Sequence, residues 1–343
     1  FIQIYLQINL YKMNSLIYGM NSFYTDLFAN KFSKEKKYNE AKKSMFISVL
    51  KSNGFNTLFF SSSDVYDKYI YDNFDIHQQF NNDTGLITAF SEYVSKNNNK
   101  KNLYILFLSS SHYDYSFPKN IAKFKPFLNS ENISNTSNLM NKSKKEELFN
   151  RYKNSVHYID ILVKDVINIL QKKGVIADTI FTFTGDHGEE FWEKGFFGHI
   201  KPSFNNERIS TPFVLCSSEL SNNKIKLSSH YDIFPTIFDI LKPNKTKKIL
   251  TKETGYSLIN DEKKYFTVAS IKFPFDDNKL CLINENGKVI FNVLTGIKKN
   301  PKIEIIEYTD LNDNVLKEKE KINTLNNHLE EFKKDYMQYI EIK

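Results

Sequence analysis

Residues 184–199 read Thr-Gly-Asp-His-Gly-Glu-Glu-Phe-Trp-Glu-Lys-Gly-Phe-Phe-Gly-His. Asp186 and His187 offer a carboxylate and an imidazole on adjacent positions, and His199 adds a second imidazole twelve residues after His187. An oxygen donor beside a neutral nitrogen donor suits a divalent cation such as Zn²⁺ or Mn²⁺. An isolated Asp-His-Gly is more often a plain strand-to-loop turn. The context reverses those odds. Ile180-Phe-Thr-Phe-Thr184 ahead of the pair is a β-branched and aromatic run of the kind that forms a buried strand. Gly185 and Gly188 allow a tight backbone turn on either side. In open α/β sheets the site lies off the carboxyl ends of the strands, which is where this pair falls.

The elements that must carry such a site alternate along the chain. Residues 36–53 predict a helix closed by Gly54, followed by a strand at Phe55–Ser61 with a polar end at Ser61–Asp64. Residues 86–97 suit a short helix. Leu103–Leu108 is a strongly apolar strand that runs out into Ser109-Ser-Ser-His112, and residues 118–142 form a polar loop. Ser143-Lys-Lys-Glu146 reads as a capping box opening a long helix. Its apolar stripe is Leu148, Tyr152, Val156, Ile159, Val163, Val166 and Leu170, and Lys172-Lys-Gly174 ends it. Phe213–Cys216 reads as another buried strand, and Ile233–Leu241 as a helix entered through Pro235. This alternation predicts an α/β core with a mostly parallel sheet and helices on both faces. From about residue 264 the pattern changes to short strands at Tyr265–Ile271, Leu280–Ile283, Val289–Val293 and Lys302–Tyr308, with a turn at Asn284–Gly287 and a charged helix over 314–341. The expected division is a core over 1–263 and a smaller α+β subdomain over 264–343.

Composition bounds the function. The 343 residues, 41% hydrophobic with 30 Phe, allow a sizeable core. The net charge of +7 comes from 47 basic and 40 acidic residues and is spread out. That is the pattern of a solvated surface, and the weaker alternative is attraction of anionic head groups or substrates. No nucleic-acid-binding module or aromatic-basic platform appears. Cys216 and Cys281 both lie in hydrophobic runs and read as small buried apolar residues. Two cysteines define neither a disulfide framework nor a zinc cage. No segment reaches the roughly 18 apolar residues of a membrane helix. The first 24 residues carry Gln3, Gln7, Asn9 and Lys12 and lack the order of a signal peptide. The chain begins at Phe1 and is expected to be a fragment whose true start is missing.

Taken together, the chain resembles the sulfatase-like branch of the alkaline phosphatase superfamily. Tyr152–Asp160 resembles the helix before that family's metal strand, and Gly174–Thr179 its helix-to-strand turn. Asp186-His-Gly-Glu-Glu-Phe191 with Gly198-His199 matches its metal and substrate motif. Glu207–Leu215 is similar to its next strand, and Ser229-His-Tyr-Asp232-Ile-Phe-Pro-Thr236 to the helix start that follows. Upstream, Leu50–Phe60 resembles its second strand unit, and Ser15-Leu-Ile-Tyr18-Gly19 the start of the helix after its nucleophile. The match runs over most of residues 13–242, while the C-terminal subdomain fits only the family's general layout.

The resemblance implies metal-dependent hydrolysis or transfer of sulfate or phosphate esters of cell-envelope lipids or glycans. Asp186 and His187 are then metal ligands for Mn, Zn, Ca or Mg. His199 holds a sulfuryl or phosphoryl oxygen or acts as an acid. His112 resembles a substrate-side His of the membrane-bound transferases, or is a polar strand end. Lys201 reaches an anionic substrate, or is a surface lysine. Glu189 and Glu190 back up the site or lie in a solvated loop, Trp192 packs on the core, and His230 fixes a turn near Asp232. The implied partners are an anionic ester substrate and a membrane lipid, at the periplasmic or extracellular face. The family's first acidic ligand precedes residue 1 in this reading. Its Thr, Ser or modified Cys nucleophile falls where this sequence has Gln7-Ile-Asn-Leu-Tyr11, with no hydroxyl or thiol except Tyr11. The alternatives are an enzyme fragment and a catalytically degenerate module that binds envelope head groups.

Overall fold

The computed structural model of the chain describes residues 2–6, 15–19, 43–63, 68–97, 101–129, 141–199, 203–221, 227–244, 255–259, 266–270, 279–294 and 302–340. The chain divides into two compact units, each assembled from separate stretches. The first takes residues 1–13, 43–198 and 211–221, and the second takes 14–42, 199–210 and 222–343. The expected boundary at 263/264 falls inside the sequence of the second unit.

The first unit is a six-stranded sheet with helices on both faces. Its strands are β1 (Ile2–Leu6), β2 (Asn56–Ser61), β3 (Ile76–Gln79), β4 (Asn102–Leu108), β5 (Phe181–Gly185) and β8 (Phe213–Cys216). Their spatial order is β3-β2-β4-β1-β5-β8. Strands β1 to β5 are parallel, and β8 closes the edge antiparallel to β5. All five parallel strands therefore leave the sheet along one edge. Strand β4 shows why its sequence is uniformly apolar, because every residue from Leu103 to Leu108 is buried in a sheet covered on both sides. On one face, Leu58, Phe60, Leu106 and Leu108 meet Leu86 and Phe90 of α2 (Asp83–Lys96) and Ile159, Leu162 and Val166 of α3 (Lys145–Lys173). Each such side chain contributes roughly 1.5–3 kcal/mol by leaving water. On the other face Phe59 packs against Tyr71, Phe74 and Phe107.

The helix ends follow local chemistry. Helix α1 (Met45–Ser52) is capped by the Ser44 side chain, which accepts from the Ile47 amide, and ends before Gly54 at φ +81°. Residues 36–42 of the helix expected there lie outside the described residues. Helix α3 ends at Gly174 (φ +76°), where the Val175 amide donates to the Leu170 carbonyl. Its start differs from expectation. Ser143 is not the cap: Asn141 accepts from the Ser143 amide and opens a 3₁₀ turn at Lys142–Lys144 that leads into α3. The apolar stripe is also narrower than expected. Leu148, Ile159, Val166 and Leu170 are buried, Tyr152 and Val163 are half-buried, and Val156 is exposed, while Asn150, Arg151, Asn154 and Ser155 are buried instead.

The second unit holds an antiparallel sheet in the order β12-β11-β10-β9, from β9 (Phe266–Ser270), β10 (Lys279–Asn284), β11 (Gly287–Leu294) and β12 (Lys302–Thr309). The strands expected beyond residue 264 are these four. The β10–β11 turn requires Gly287 (φ +153°), since a Cβ there would stand 2.4 Å from the Thr309 carbonyl oxygen. One sheet face packs Leu282, Val289 and Phe291 against Leu325, Leu329 and Phe332 of α5 (Lys319–Ile340). The same unit contains α4 (Ile233–Leu241), preceded by a 3₁₀ turn at His230–Asp232. That turn is fixed by the Asp232 carboxylate, which accepts from the Ser229 and Tyr256 amides.

Candidate active site

Asp186 and His187 follow β5 at the edge where the parallel strands leave the sheet. Both side chains are almost completely buried, and Nε2 of His187 lies 3.2 Å from Oδ2 of Asp186. Nδ1 of His187 is 2.7 Å from the Gly188 carbonyl oxygen, which only accepts. The proton on Nδ1 is thus assigned by that bond, and Nε2 faces the carboxylate. Nε2 and the carboxylate oxygen are then two acceptors side by side, and this donor set of one oxygen and one nitrogen fits a divalent cation as part of a larger ligand set. Among the described residues no group of three His, Cys, Asp or Glu side chains is gathered to complete such a set.

The loop after His187 is a small hairpin. Strands β6 (Glu190–Phe191) and β7 (Phe197–Gly198) pair antiparallel, and Gly195 (φ +93°) and Trp192 (φ +65°) make the reversal. Glu190 is fully buried and accepts from the Lys194 and Phe196 amides, so it braces the hairpin from within. Trp192 stacks on Phe197 with ring centres 4.9 Å apart. Glu189 stands beside Gly198, and its charge, after burial itself, helps hold the Tyr152 phenol up at about 12, with Asp186 adding to the effect. Burial and the same Glu189 push Tyr115 well above the ordinary tyrosine range.

The exit of β4 is the second built element of this edge. Asp83, buried at the start of α2, accepts from the Ser109 amide (2.9 Å), the Ser110 amide (3.0 Å) and the Ser62 hydroxyl. It thereby ties the ends of β2 and β4 together. His112 follows on an exposed turn whose carbonyl accepts from the Tyr115 amide. Tyr115 (φ +42°) then drops into an aromatic cluster with Tyr152 and Phe191, which joins the β4 exit, α3 and the hairpin after His187. Arg151 donates through Nε to the Asp114 carbonyl and through Nη1 to the Leu128 carbonyl. Asn154 accepts from the Lys123 and Phe124 amides. The buried polar residues of α3 therefore hold the loop that follows His112. Sequence reasoning missed Asp83, Arg151 and Asn154. Asp83 precedes the helix expected over 86–97, and Arg151 and Asn154 lie off the expected apolar stripe of α3, so no local pattern marked any of the three.

A cleft of about 600 Å³ opens beside the Asp186–His187 pair. One end carries Ser111, Asp186, His187 and Glu189. The lining is otherwise mostly apolar, from Val156, Ile159, Val163 and Ile167 of α3 and from Phe181, Phe183 and Val214 of the sheet, with the Asp160 carboxylate among them. Cys216 lines this cleft and is exposed, contrary to the expectation of a buried thiol, because β8 is an edge strand whose residues are alternately half-buried and exposed. Cys281 is completely buried as expected.

Of the sequence-predicted site residues, Asp186 and His187 are brought together, and His112 stands at the exit of β4, with β1 between that strand and β5. His199 is half-buried and belongs to the second unit. Lys201 and the Gln7–Tyr11 stretch lie outside the described residues.

The sulfatase family model matches residues 13–243, well over half of the chain. The chain therefore belongs to the sulfatase family. It is 30% identical over 142 residues to the phosphoethanolamine transferase EptA of Helicobacter pylori, a match covering 40% of this chain and 26% of that protein. The alignment thus spans about a quarter of that relative's length. Among solved structures, the phosphonate monoester hydrolase of Agrobacterium radiobacter superposes with TM-score 0.66 at 12% identity, covering 98% of this chain and 95% of that one. The C-terminal periplasmic domain of the phosphoethanolamine transferase EptC from Campylobacter jejuni does so with TM-score 0.52 at 19% identity, covering 77% and 94%. These likenesses establish an alkaline phosphatase-like fold, with a separate antiparallel sheet.

Proposed function

We propose that this protein transfers or hydrolyses a phosphate or sulfate ester of a cell-envelope lipid or glycan, at the periplasmic or extracellular face of a membrane. The observation that carries the reading is the buried Asp186–His187 pair at the carboxyl end of β5, opening on a cleft whose lining is mostly apolar. Asp186 and His187 hold a divalent cation together with ligands beyond the described residues. Such a cation, when bound, neutralises charge on the group being transferred. The Gly188 carbonyl keeps the imidazole of His187 in the orientation that presents Nε2. His199 binds an oxygen of the transferred group or protonates the leaving one, and His112 and Lys201 contact the substrate's outer part. The apolar lining around Val163 and Val214 takes an acyl or other apolar substituent. Membership of the family and the similarity to phosphoethanolamine transferases support this substrate class.

One observation favours a second reading. Gln7–Tyr11, the stretch that the family resemblance assigns to the nucleophile, contains no Ser, Thr or Cys. A degenerate module that keeps metal and head-group binding has that composition. The two are separated by incubating the protein with an aryl sulfate, a phosphodiester and an ethanolamine phospholipid, with Mn²⁺ or Zn²⁺, while metal content is measured. Turnover lost in Asp186→Asn and His199→Ala supports the enzyme. Stoichiometric metal, lost in Asp186→Asn, with no turnover supports the binding module. A protein that neither binds metal nor turns over any of the three sinks both.

A further inference from the structure

The segment that carries His199 is fastened to the antiparallel sheet of the second unit by a buried lysine. Lys288, on β11, is 1% exposed, and its ammonium has three donors. They meet three acceptors: the Phe204 carbonyl at 3.1 Å, Oδ1 of Asn206 at 2.6 Å and Oδ1 of Asp313. The other oxygen of Asp313 accepts from the Asn206 amide at 2.8 Å, and the Asn206 side chain donates to the Leu311 carbonyl. Asn206 is thus gripped from β11 and from the turn after β12. That turn is itself shaped by Asp310, which accepts from the Asn312 and Asn314 amides, and by Asp313 at φ +65°. Beneath these bonds Phe204 is buried against Cys281 and Ile290, with Ile209 beside it.

A charge this deeply buried is costly to place. Removing one partner of such a pair typically destabilises far more than removing both, because the remaining charge has no solvent. A residue whose only task was to fill the sheet would be apolar here, as Cys281 and Ile290 are. The charge instead reaches across to a different stretch of chain. Lys288 meets backbone and side chain of residues 204 and 206, five and seven positions after His199.

We propose that Lys288, paired with Asp313, is a positioning residue for His199. Through Asn206 and Phe204 the antiparallel sheet clamps the segment 203–209 within the same unit, and so fixes the stretch of chain that follows the His199 imidazole. The inference rests on the reading of His199 as a substrate-contacting residue. The clamp itself can be tested without turnover.

The test uses Lys288→Met, which keeps the stem and removes the charge, and the milder Asn206→Ala, with Lys333→Met as a surface-lysine control. Hydrogen exchange and the imidazole ¹H–¹³C signals of ¹³C-histidine-labelled protein are recorded, the His199 signal being assigned by His199→Gln. Amides of 203–209 are expected to exchange at least about tenfold faster in both variants, while β10 and β11 stay protected. The His199 signal moves, and the control matches the parent protein. If Lys288→Met does not fold, Asn206→Ala decides. A lowered melting temperature with unchanged exchange at 203–209 and an unmoved His199 signal would overturn the proposal and leave Lys288 a plain stabiliser of the sheet. Loss of the proposed enzymatic activity leaves both readouts intact, so the two ideas fail separately.

Discussion

Replacing Asp83 by alanine tests whether the exit of β4 is held by one carboxylate. Asp83 is 1% exposed and serves three donors: the Ser109 amide, the Ser110 amide and the Ser62 hydroxyl. The hydroxyl has other acceptors within reach, the Phe107 carbonyl at 3.2 Å and Ser109 Oγ at 2.9 Å, so its loss is nearly free. The two amides have no such substitute once the carboxylate is gone. The Ser110 amide is buried and the Ser109 amide partly so; at about 1–2 kcal/mol for the first and less for the second, Asp83→Ala is expected to destabilise by roughly 1.5–3 kcal/mol. Asp83→Asn keeps one acceptor oxygen at nearly the same volume and turns an amino group toward the other amide, which predicts about half that loss. Urea denaturation gives the stabilities, and hydrogen exchange at Ser109 and Ser110 gives the local effect. The expected order is parent, Asp83→Asn, Asp83→Ala. Equal stability of the two variants, or an alanine variant within about 0.5 kcal/mol of the parent, would refute this account of the edge.

Two further predictions concern the same unit. The Tyr152 phenol is raised to about 12 from its usual 10, chiefly by burial. Its neutral form is favoured by folding, so this contribution is complete below pH 10 and is lost as pH rises through 12. Two pH units correspond to about 2–3 kcal/mol. Stability measured from pH 9 to 11.5 should therefore fall more steeply in the parent than in Tyr152→Phe, and parallel curves would count against it. Native protein should show one fast thiol, Cys216, while Cys281, buried and with its thiol pushed up by burial, reacts only on unfolding. Dodecyl phosphate should slow labelling of Cys216 and inorganic phosphate should not. No protection by the amphiphile would argue against an apolar occupant of the cleft.

The local elements of this protein are legible in its residues, because hydrophobic period and turn chemistry act over a few positions. The strand before Asp186, the Gly174 stop of α3, the continuous apolar run of β4 and the β10–β11 turn at Asn284–Gly287 all form where the residues point. The Asp-His pair is legible for the same reason: adjacent donors after a buried strand need no tertiary information to be recognised. Ser143 shows the limit even at short range, since Asn141 caps a 3₁₀ turn at Lys142–Lys144 and the chain is already turning where Ser143 was expected to start it. The exposed Cys216 shows another, since a hydrophobic run does not reveal that its strand lies at an edge.

The long-range bonds and the grouping of the chain arise only on folding. Asp83 meets Ser109, Arg151 meets Asp114 and Leu128, and Lys288 meets Phe204, over separations of 26, 37, 23 and 84 residues. A buried polar side chain takes its meaning from whichever backbone group the fold brings to it. No local pattern encodes that partner. The same holds for the two units: hydrophobic patterning marks each strand and helix, but it does not say which strands share a core. The strand, the Asp186–His187 pair and the family they belong to are readable from the residues alone. Only the folded chain placed residues 199–210, and His199 with them, among the elements of the second unit, because that grouping is made by contacts between stretches far apart in sequence.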